Sequence, residues 1–337
     1  MNQDQHFFPT ESSTLSQSAL SNLVLSNFDA IKKIEYCRLI SVGINDTYQL
    51  NTNKGIFFLR VYRKGWRTLE EIKAELDFIL YLDKNNISVS LPIMKNGGEY
   101  ISQLSAPEGD RYWVLFNEAK GIGKPYDSER SQQYGSLVAR LHQLSLDYNN
   151  KWNRFTFDEA YLIKNPLQHI KPFLKHRIAD YEYLKKIGAD LYSLIQSQSD
   201  ITASKHIFLH GDHHGGNVHF DAFDNPTLFD FDCCGIGDRS YDLAVFWGEV
   251  VPTSFTTESK VQRDQLWHSF LKGYTKHINL TVGELTAVKA YVPLRQIWLM
   301  GMHTHLYHNL GNRWVNNDYF DLAIYSIKEW VKTLELI

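Results

Sequence analysis

One segment of this sequence, residues 208–242, constrains the fold and the chemistry more strongly than any other. It places Asn217 five positions after Asp212, and a further aspartate, Asp230, in an apolar run that is typical of a strand. The intervening pair Gly215–Gly216 breaks any helix, so the pattern predicts a tight loop that leads into a strand. Carboxylate and amide oxygens are the hard ligands that divalent cations prefer in proteins. The segment therefore predicts a loop in which Asp212 lies close to a cation held by Asn217 and Asp230.

The same order of groups is found in the catalytic loop of protein kinases, where His-Arg-Asp is followed by an asparagine and, downstream, by a metal-binding aspartate. There the first aspartate orients the acceptor hydroxyl, and the other two residues bind Mg²⁺. In this chain glycine replaces the arginine in His210–Asp212, and the downstream motif is Asp-Phe-Asp rather than Asp-Phe-Gly. The spacing indicates phosphoryl transfer, with Asp212 catalytic and with Asn217 and Asp230 as metal ligands.

With these departures, and with the Tyr-Asp-Leu-Ala element within Asp238–Ala244, the chain resembles the aminoglycoside phosphotransferase and choline kinase superfamily. The resemblance extends over about residues 35–335, although its specific motifs lie only in 208–242. Aligned on the Tyr-Asp-Leu-Ala element, it implies that Asp230 rather than Asp232 is the principal metal ligand.

The histidines in and around this segment permit a second interpretation, namely a zinc site or merely a solvated loop. Structural zinc sites usually use thiolates or histidines at regular helical spacing, whereas the paired glycines preclude a helix. A zinc site or a solvated loop would also leave the spacing of the asparagine and the aspartates unexplained. The kinase interpretation is therefore preferred for the group His206, His210, His213, His214 and His219.

Composition narrows the class of protein further. With 337 residues, of which 43% are hydrophobic, the chain is long enough for two domains with sizeable cores. A formal net charge of −3 provides no basic field for DNA, RNA or an anionic membrane, so nucleic acid is not an expected partner. No apolar run reaches the roughly 18–20 residues of a membrane span, and neither a signal peptide nor a membrane anchor is expected. The three cysteines form no disulfide framework, which suits a reducing cytoplasm.

The N-terminal part predicts an antiparallel meander of strands preceded by a mobile arm. Residues 1–22 are rich in Ser and Gln and are assigned to that arm, or to a weak first helix. Over residues 34–62, strand-like runs alternate with turns, the first at Gly43–Asp46. This turn occupies the position of a kinase's phosphate-covering loop, so Gly43 and Asn45 are candidate nucleotide-binding residues. An ordinary hairpin is the alternative.

In kinases a cation on the third strand contacts the phosphates and pairs with a glutamate on the following helix. Here the third strand carries Arg60, which makes forked contacts where lysine acts as a point charge. The next helix is predicted to begin at a capping box of Thr68 and Glu71, and Glu75 is the candidate partner of Arg60. Two alternatives remain: Arg60 and Arg63 are exposed strand charges, or Glu71 takes the role of Glu75.

The strand at 111–116 ends where a two-lobed kinase has its interlobe hinge, whose main chain binds adenine. The resemblance therefore makes Asn117 and Ala119 candidate nucleotide contacts; a plain strand followed by a turn is the alternative. After the hinge, apolar residues recur at helical spacing. The resemblance implies that the helical segment after residue 150 helps to build the acceptor pocket; solvated faces of amphipathic helices are the alternative. The aromatic stretch that contains His303, His305 and His308 is a further candidate for this pocket, or is ordinary core and surface.

Together these features predict an α+β, two-lobed protein-kinase-like fold. Its parts are a mobile arm, 1–22, a nucleotide-binding lobe with an antiparallel sheet, 23–116, a hinge, 117–121, and a mainly helical catalytic and acceptor-binding lobe, 122–337. The predicted reaction moves the γ-phosphoryl group of ATP, or of GTP, to a hydroxyl of a small molecule such as an antibiotic, an amino alcohol or a sugar-like compound, with Mg²⁺ as cofactor. The alternatives are a Ser/Thr kinase of the bacterial stress-response type, which HGDHHGGN also resembles, and a nucleotide-binding pseudokinase. The sequence predicts no oligomeric state.

Overall fold

The computed structural model describes residues 8–198, 206–250, 254–307, 311 and 313–336. It divides into two compact units. The sheet unit comprises the described residues within 1–73, 91–118 and 306–312, and the helical unit comprises those within 74–90, 119–305 and 313–337. An antiparallel sheet and a larger helical part together confirm the predicted α+β class.

Five antiparallel strands form the sheet of the sheet unit, in the order β1-β2-β3-β5-β4. The first three are neighbours in sequence and in space, so the predicted meander is confirmed. Every second residue of β2 is buried, as expected for a sheet with one covered face. The strands are β1 Ile34–Val42, β2 Asn45–Thr52, β3 Gly55–Tyr62, β4 Ser102–Ala106 and β5 Gly109–Asn117.

Helix α1, Gln17–Asn27, agrees with the alternative of a first helix rather than a mobile arm for residues 17–22, and residues 1–7 lie outside the described residues. Leu20 and Val24 on this helix, and Phe28 after it, are buried in the core of the sheet unit. Burial of a large apolar side chain stabilises a fold by about 1.5–3 kcal/mol, so these residues, with the partly buried Leu23 and Leu25, hold the helix on the sheet. The Ser- and Gln-rich composition conceals these few anchors in the sequence.

Eight further helices, α2 to α9, make up most of the helical unit in the described residues, although the first turn of α2 belongs to the sheet unit. Helix α8 packs against α4, α5, α6 and α9. None of the described helices has the length and apolar character needed to cross a membrane. The helices are α2 Leu69–Lys84, α3 Ser128–Asp147, α4 Asn165–Ile170, α5 Ile178–Gln196, α6 Arg239–Glu249, α7 Thr257–Tyr274, α8 Val282–His305 and α9 Asn317–Thr333, with a π-helical turn at Ala160–Lys164 before α4.

Side chains at the helix starts confirm the predicted capping box of α2. Glu71 N donates to Thr68 Oγ1 (3.2 Å) while Thr68 N donates to Glu71 Oε2 (2.8 Å). Thr281 and Glu284 form the same reciprocal pair at the start of α8. Helix α8 continues past Pro293, around which the residues are buried. Packing therefore holds this helix together where proline removes a main-chain hydrogen bond.

The segment 208–242 is built on two small antiparallel pairs of strands. β6, Ile207–Leu209, pairs with β9, Gly235–Gly237, and β7, Val218–Phe220, pairs with β8, Pro226–Leu228. The predicted catalytic loop joins β6 to β7, and α6 follows β9. Asp230 lies two residues beyond β8 rather than inside a strand, which corrects its predicted position.

Candidate active site

The loop between β6 and β7 begins with a glycine that its packing requires. Gly211 has a φ of +79°, and a Cβ atom at this position would lie 2.1 Å from the main-chain oxygen of Cys233. The left-handed backbone and the close approach both favour glycine. The glycine that stands in place of the kinase arginine therefore lets the loop lie directly against the segment that follows β8.

Asp212 is surrounded by three hydrogen-bond donors. Arg295 Nη2 donates to Asp212 Oδ1 at 2.5 Å. Asn217 Nδ2 donates to Asp212 Oδ2 at 2.9 Å, and His214 Nε2 lies 3.3 Å from the same oxygen. His214 Nδ1 accepts from Gly216 N (2.9 Å), so the ring proton is on Nε2, which faces Asp212.

The charge state of Asp212 follows from these neighbours. Burial alone would raise its pKa, but the Arg295 guanidinium and the His214 ring outweigh burial and hold the pKa below its ordinary value. Asp212 is therefore a carboxylate at neutral pH. A carboxylate is the form that accepts a hydrogen bond from an alcohol.

Asn217 and Asp230 are brought together by the hairpin of β7 and β8. Phe229 N donates to Asn217 O (3.1 Å), and Asp230 is the next residue. Asn217 uses its amide nitrogen on Asp212, and no hydrogen bond among the described residues uses its Oδ1. Asp230 is exposed, whereas Asp232 is buried. An amide oxygen and an exposed carboxylate are donors that suit Mg²⁺, so the two residue types fit the predicted metal site.

The backbone of Asp230 is itself unusual. Its φ of 62° lies in the left-handed region, which residues other than glycine rarely adopt. Backbone conformations of this kind concentrate at functional sites. Asn86, Asp224 and Glu335 also have a positive φ, so the conformation does not by itself assign Asp230 to the site, and its metal-binding role stays a prediction.

His210 links the loop to the same hairpin. Its Nε2 donates to Phe229 O (3.2 Å), and its Nδ1 accepts from Asp212 N (3.2 Å). Burial is the main reason that the pKa of His210 falls to about 3. The ring stays neutral and shapes the loop.

Asp242, in the first turn of α6, anchors the start of the loop. Its Oδ1 accepts from Gly211 N (2.7 Å) and its Oδ2 from His210 N (3.0 Å). His142 Nε2 and His213 Nε2 lie 3.1 and 3.2 Å from Oδ2. Burial would raise the pKa of Asp242, but the two histidine rings hold it well below the ordinary value. The Tyr-Asp-Leu-Ala element therefore supplies a buried carboxylate that fixes two consecutive main-chain N–H groups.

Hydrogen bonds engage most ring nitrogens of the buried histidines, whereas His213 Nε2 lies 3.2 Å from Asp242 Oδ2 without forming one. His142, His213 and Asp242 lie close enough together to hold a metal ion. The remaining ring nitrogens, however, bind tyrosine hydroxyls: His142 Nδ1 with Tyr274 (2.9 Å) and His213 Nδ1 with Tyr134 (2.9 Å). Among the described residues, no cluster of metal-ligating side chains includes the other histidines considered for zinc.

Arg295 is a site residue that the sequence analysis does not identify. It lies on α8, 83 residues after Asp212, and its side chain is 4% exposed. Nε donates to Glu249 Oε1 (2.7 Å), and Nη1 donates to Gly211 O (3.3 Å) and Tyr241 Oη (3.0 Å). No local pattern marks such a residue, because the contact depends on how distant helices pack.

The turn predicted to cover the phosphates is tied to a buried ion-pair network in the sheet unit. Gly43 N donates to Asn45 O (3.1 Å), and the Arg63 guanidinium donates to Gly43 O (3.1 and 3.0 Å). Arg63 also pairs with Asp46 (3.1 Å), which pairs with Arg111 (2.7 Å). The alternative that Arg63 is an exposed strand charge is therefore wrong.

The other residues predicted to contact the nucleotide lie on elements of both units. Arg60 on β3 is only 8% exposed, so it is not an exposed strand charge either. Glu75 on α2 and Ala119 belong to the helical unit, and both are buried. Asn117 ends β5, where its Oδ1 accepts from Leu91 N (2.5 Å). The nucleotide-binding roles of these residues stay predictions.

The histidines of the aromatic stretch have identifiable neighbours. His303 Nδ1 accepts from Tyr319 Oη (2.8 Å), and burial lowers the pKa of His303 to about 4, so this ring is neutral. The rings of His305 and His169 lie 4.2 Å apart. His308 lies outside the described residues. An acceptor-binding role for this stretch stays a prediction.

Comparison with known proteins assigns the class of enzyme. The model of the phosphotransferase enzyme family matches residues 37–277, which is most of the chain. This chain therefore belongs to the phosphotransferase enzyme family. An uncharacterised protein of Synechocystis sp. is 32% identical over 324 residues, which cover 96% of this chain and 87% of that protein.

Solved structures show the same fold at lower identity. Amicoumacin kinase hAmiN, in complex with AMP-PNP, Ca²⁺ and Ami, has a TM-score of 0.72 and 19% identity, and the match covers 95% of this chain and 94% of that one. A microcompartment-associated aminopropanol kinase has a TM-score of 0.72 and 18% identity, with 94% and 96% covered. These similarities confirm the predicted kinase-like fold.

Proposed function

We propose that this protein transfers the γ-phosphoryl group of ATP to a hydroxyl of a small molecule. The observation that carries the proposal is the contact between the Asp212 carboxylate and the Asn217 amide at 2.9 Å, with Asp230 one residue beyond the hydrogen-bonded partner of Asn217. This is the order of groups that phosphoryl transfer requires in kinases. Membership of the phosphotransferase family supports it.

Each of the three side chains has a separate task in this reaction. Asp212 accepts a hydrogen bond from the acceptor hydroxyl and orients the attacking oxygen. Asn217 and Asp230 would hold Mg²⁺, whose charge, when the ion is bound, neutralises the phosphate oxygens. Positioning and electrostatic stabilisation account for most of the rate enhancement in such sites.

A small-molecule acceptor is proposed because similar structures include a kinase for amicoumacin and one for aminopropanol. The inference is by analogy between folds, so it needs a direct test. ADP release from ATP and Mg²⁺ is measured with aminoglycosides, macrolides, amino alcohols, sugars and a generic protein substrate. One class of small alcohol is expected to stimulate ADP release and to be phosphorylated.

Other outcomes of this screen decide between the alternatives. Efficient transfer to the protein substrate, with no response to any small alcohol, would establish the Ser/Thr kinase instead. Nucleotide binding without turnover on any acceptor would establish the pseudokinase. Parallel reactions with GTP determine which nucleotide is the donor.

Removing Asp230 is expected to abolish the magnesium-dependent part of ATP binding. A ligand that binds only the folded state stabilises it by about 2.7 kcal/mol at a hundredfold excess over its dissociation constant. ATP with Mg²⁺ should therefore raise the Tm of the wild type, measured by differential scanning fluorimetry. In Asp230→Ala the shift should be the same with and without Mg²⁺.

The matched control is Asp232→Asn, at a buried position two residues away. This variant should keep the magnesium-dependent shift. If Asp230→Ala responds to Mg²⁺ as the wild type does, the metal assignment is wrong.

Arg60 and Glu75 are expected to act together in nucleotide binding. A hydrogen bond to a charged group contributes about 1.5–3 kcal/mol, so Arg60→Ala should weaken ATP binding by about 10- to 100-fold, and Glu75→Ala by less. Titration calorimetry of the double variant should show a non-additive loss, as for residues that act on the same ligand group. Additive losses would show that Arg60 and Glu75 act independently. Arg38→Ala is the control, because Arg38 is an exposed arginine on the same sheet.

A further inference from the structure

Two ion pairs join helices α6 and α8. In one the arginine lies on α6 and the glutamate on α8, and in the other the two residue types are exchanged. At the start of both helices, Arg239 Nε on α6 donates to Glu284 Oε1 on α8 at 2.6 Å. Near the end of α6, Arg295 Nε on α8 donates to Glu249 Oε1 on α6 at 2.7 Å. The two pairs lie about three turns, or roughly 15 Å, apart along the helices. They provide a natural comparison, because both connect the same helices and only one reaches the loop of Asp212.

The second pair continues into the candidate active site. Arg295 uses Nη2 on Asp212 Oδ1 (2.5 Å) and Nη1 on Gly211 O (3.3 Å) and Tyr241 Oη (3.0 Å). With Nε on Glu249, four of the five N–H groups of a guanidinium have partners. The side chain is 4% exposed. Arg295 is therefore not available to bind an anionic substrate.

The two oxygens of Asp212 have different partners. Oδ1 accepts from Arg295 Nη2 (2.5 Å). Oδ2 accepts from Asn217 Nδ2 (2.9 Å) and lies 3.3 Å from His214 Nε2. The Asp212 side chain is 19% exposed and that of Arg295 only 4%, so Arg295 holds the carboxylate from the protein interior while part of the carboxylate stays open to an acceptor. Rotation of a carboxylate about its terminal bond has broad, shallow preferences, so an external contact has to fix it.

We propose that Arg295 is a positioning residue of the phosphotransfer reaction: it fixes the orientation in which the Asp212 carboxylate meets the acceptor, and Glu249 holds Arg295 in place. The inference rests on the proposed function. It adds two residues to those of the catalytic loop. Arg295 on α8 contacts Asp212, and Glu249 on α6 contacts Arg295. A misplacement of about 1 Å can reduce turnover by about 10²-fold.

The test uses the basal release of ADP from ATP and Mg²⁺, with water as acceptor, and the stimulated rate with any acceptor identified. Arg295→Met should lower kcat by about 10²-fold while the KM for ATP changes by less than about threefold. Glu249→Met should lower kcat less, because the contact between Arg295 and Asp212 remains. Millimolar guanidinium chloride should restore part of the activity of Arg295→Ala.

Arg239→Met is the matched control. It removes the other ion pair between α6 and α8 and should destabilise the fold without lowering kcat. Wild-type kcat in Arg295→Met, or an equal loss of kcat in Arg239→Met, would overturn the proposal. The first outcome would show that Asp212 needs no support, and the second that only helix packing matters.

A crystal structure of Arg295→Met supplies a result that does not depend on turnover. The Asp212 carboxylate is expected to leave its present orientation, and an unchanged orientation would overturn the proposal. If Asp212 reorients but the wild type itself releases no ADP with any acceptor, the proposed function fails, whereas the control of the carboxylate by Arg295 stands.

Discussion

Replacing Asp212 with asparagine is expected to remove most of the turnover and to leave nucleotide binding intact. Asparagine preserves the size of the side chain but is a poor acceptor for the proton of an alcohol. Acid–base assistance by a positioned group contributes about 10²–10⁴-fold, so kcat should fall within that range. Asp212 is assigned to the acceptor and not to ATP, and the Kd for ATP should therefore stay near the wild-type value.

Initial rates of ADP release and calorimetric titration with ATP test this prediction in the same protein samples. Asp190→Asn is the control, because it removes only a surface carboxylate paired with Lys186 on α5; exposed pairs of this kind contribute about 0–1 kcal/mol. If Asp212→Asn keeps more than about half of the wild-type rate, Asp212 has no catalytic role in the reaction.

Replacing Asp242 with alanine is expected to give the largest loss of stability. Asp242 is fully buried and accepts from the main-chain N–H groups of His210 and Gly211, while the rings of His142 and His213 also face it. Removing one partner of a buried charged network costs about 3–5 kcal/mol. Unfolding in urea, followed by circular dichroism, should show this decrease. Catalytic activity should fall as well, because the loop loses its anchor.

The pH dependence of this loss has a definite sign. The folded-state pKa of Asp242 lies well below its ordinary value, so its stabilising contribution is present above the unfolded-state pKa of about 3.9 and is lost as the pH falls further. Asp242→Ala should therefore lose more stability, relative to the wild type, at pH 7 than below about pH 4. Asp190→Ala, the surface control, should change stability by less than about 0.5 kcal/mol. An Asp242→Ala variant as stable as the wild type at pH 7 would show that the loop is anchored elsewhere.

The features that could be predicted from the sequence are those that short stretches encode. A capping box lies within four residues, and the alternating burial of β2 within eight. The order Asp212, Asn217 and Asp230 is carried by one loop and one hairpin, so the sequence contains the whole pattern from which their chemistry is proposed. In each case the interacting groups are close in sequence, and the spacing itself contains the signal.

The features that could not be predicted depend on contacts between distant segments. Asp242 reaches the loop across 31 and 32 residues, and Arg295 reaches Asp212 across 83. Buried arginine and aspartate look like surface residues in a sequence, because nothing local shows that they are paired. For the same reason, the ion pairs that Asp46 makes within the sheet unit could not be predicted from the sequence. In α1 the buried Leu20 and Val24 hold a helix whose beginning lies in a segment rich in Ser and Gln.

The central claim is that the γ-phosphoryl group of ATP is transferred to an alcohol by the site of Asp212, Asn217 and Asp230. ³¹P NMR of the wild type with ATP, Mg²⁺ and the stimulating alcohol from the screen measures this transfer directly. We expect the γ-phosphate resonance to be replaced by that of a phosphate monoester, and the monoester to be absent with Asp212→Asn and Asp230→Ala. Release of inorganic phosphate alone, or equal monoester formation by the two variants, would contradict it.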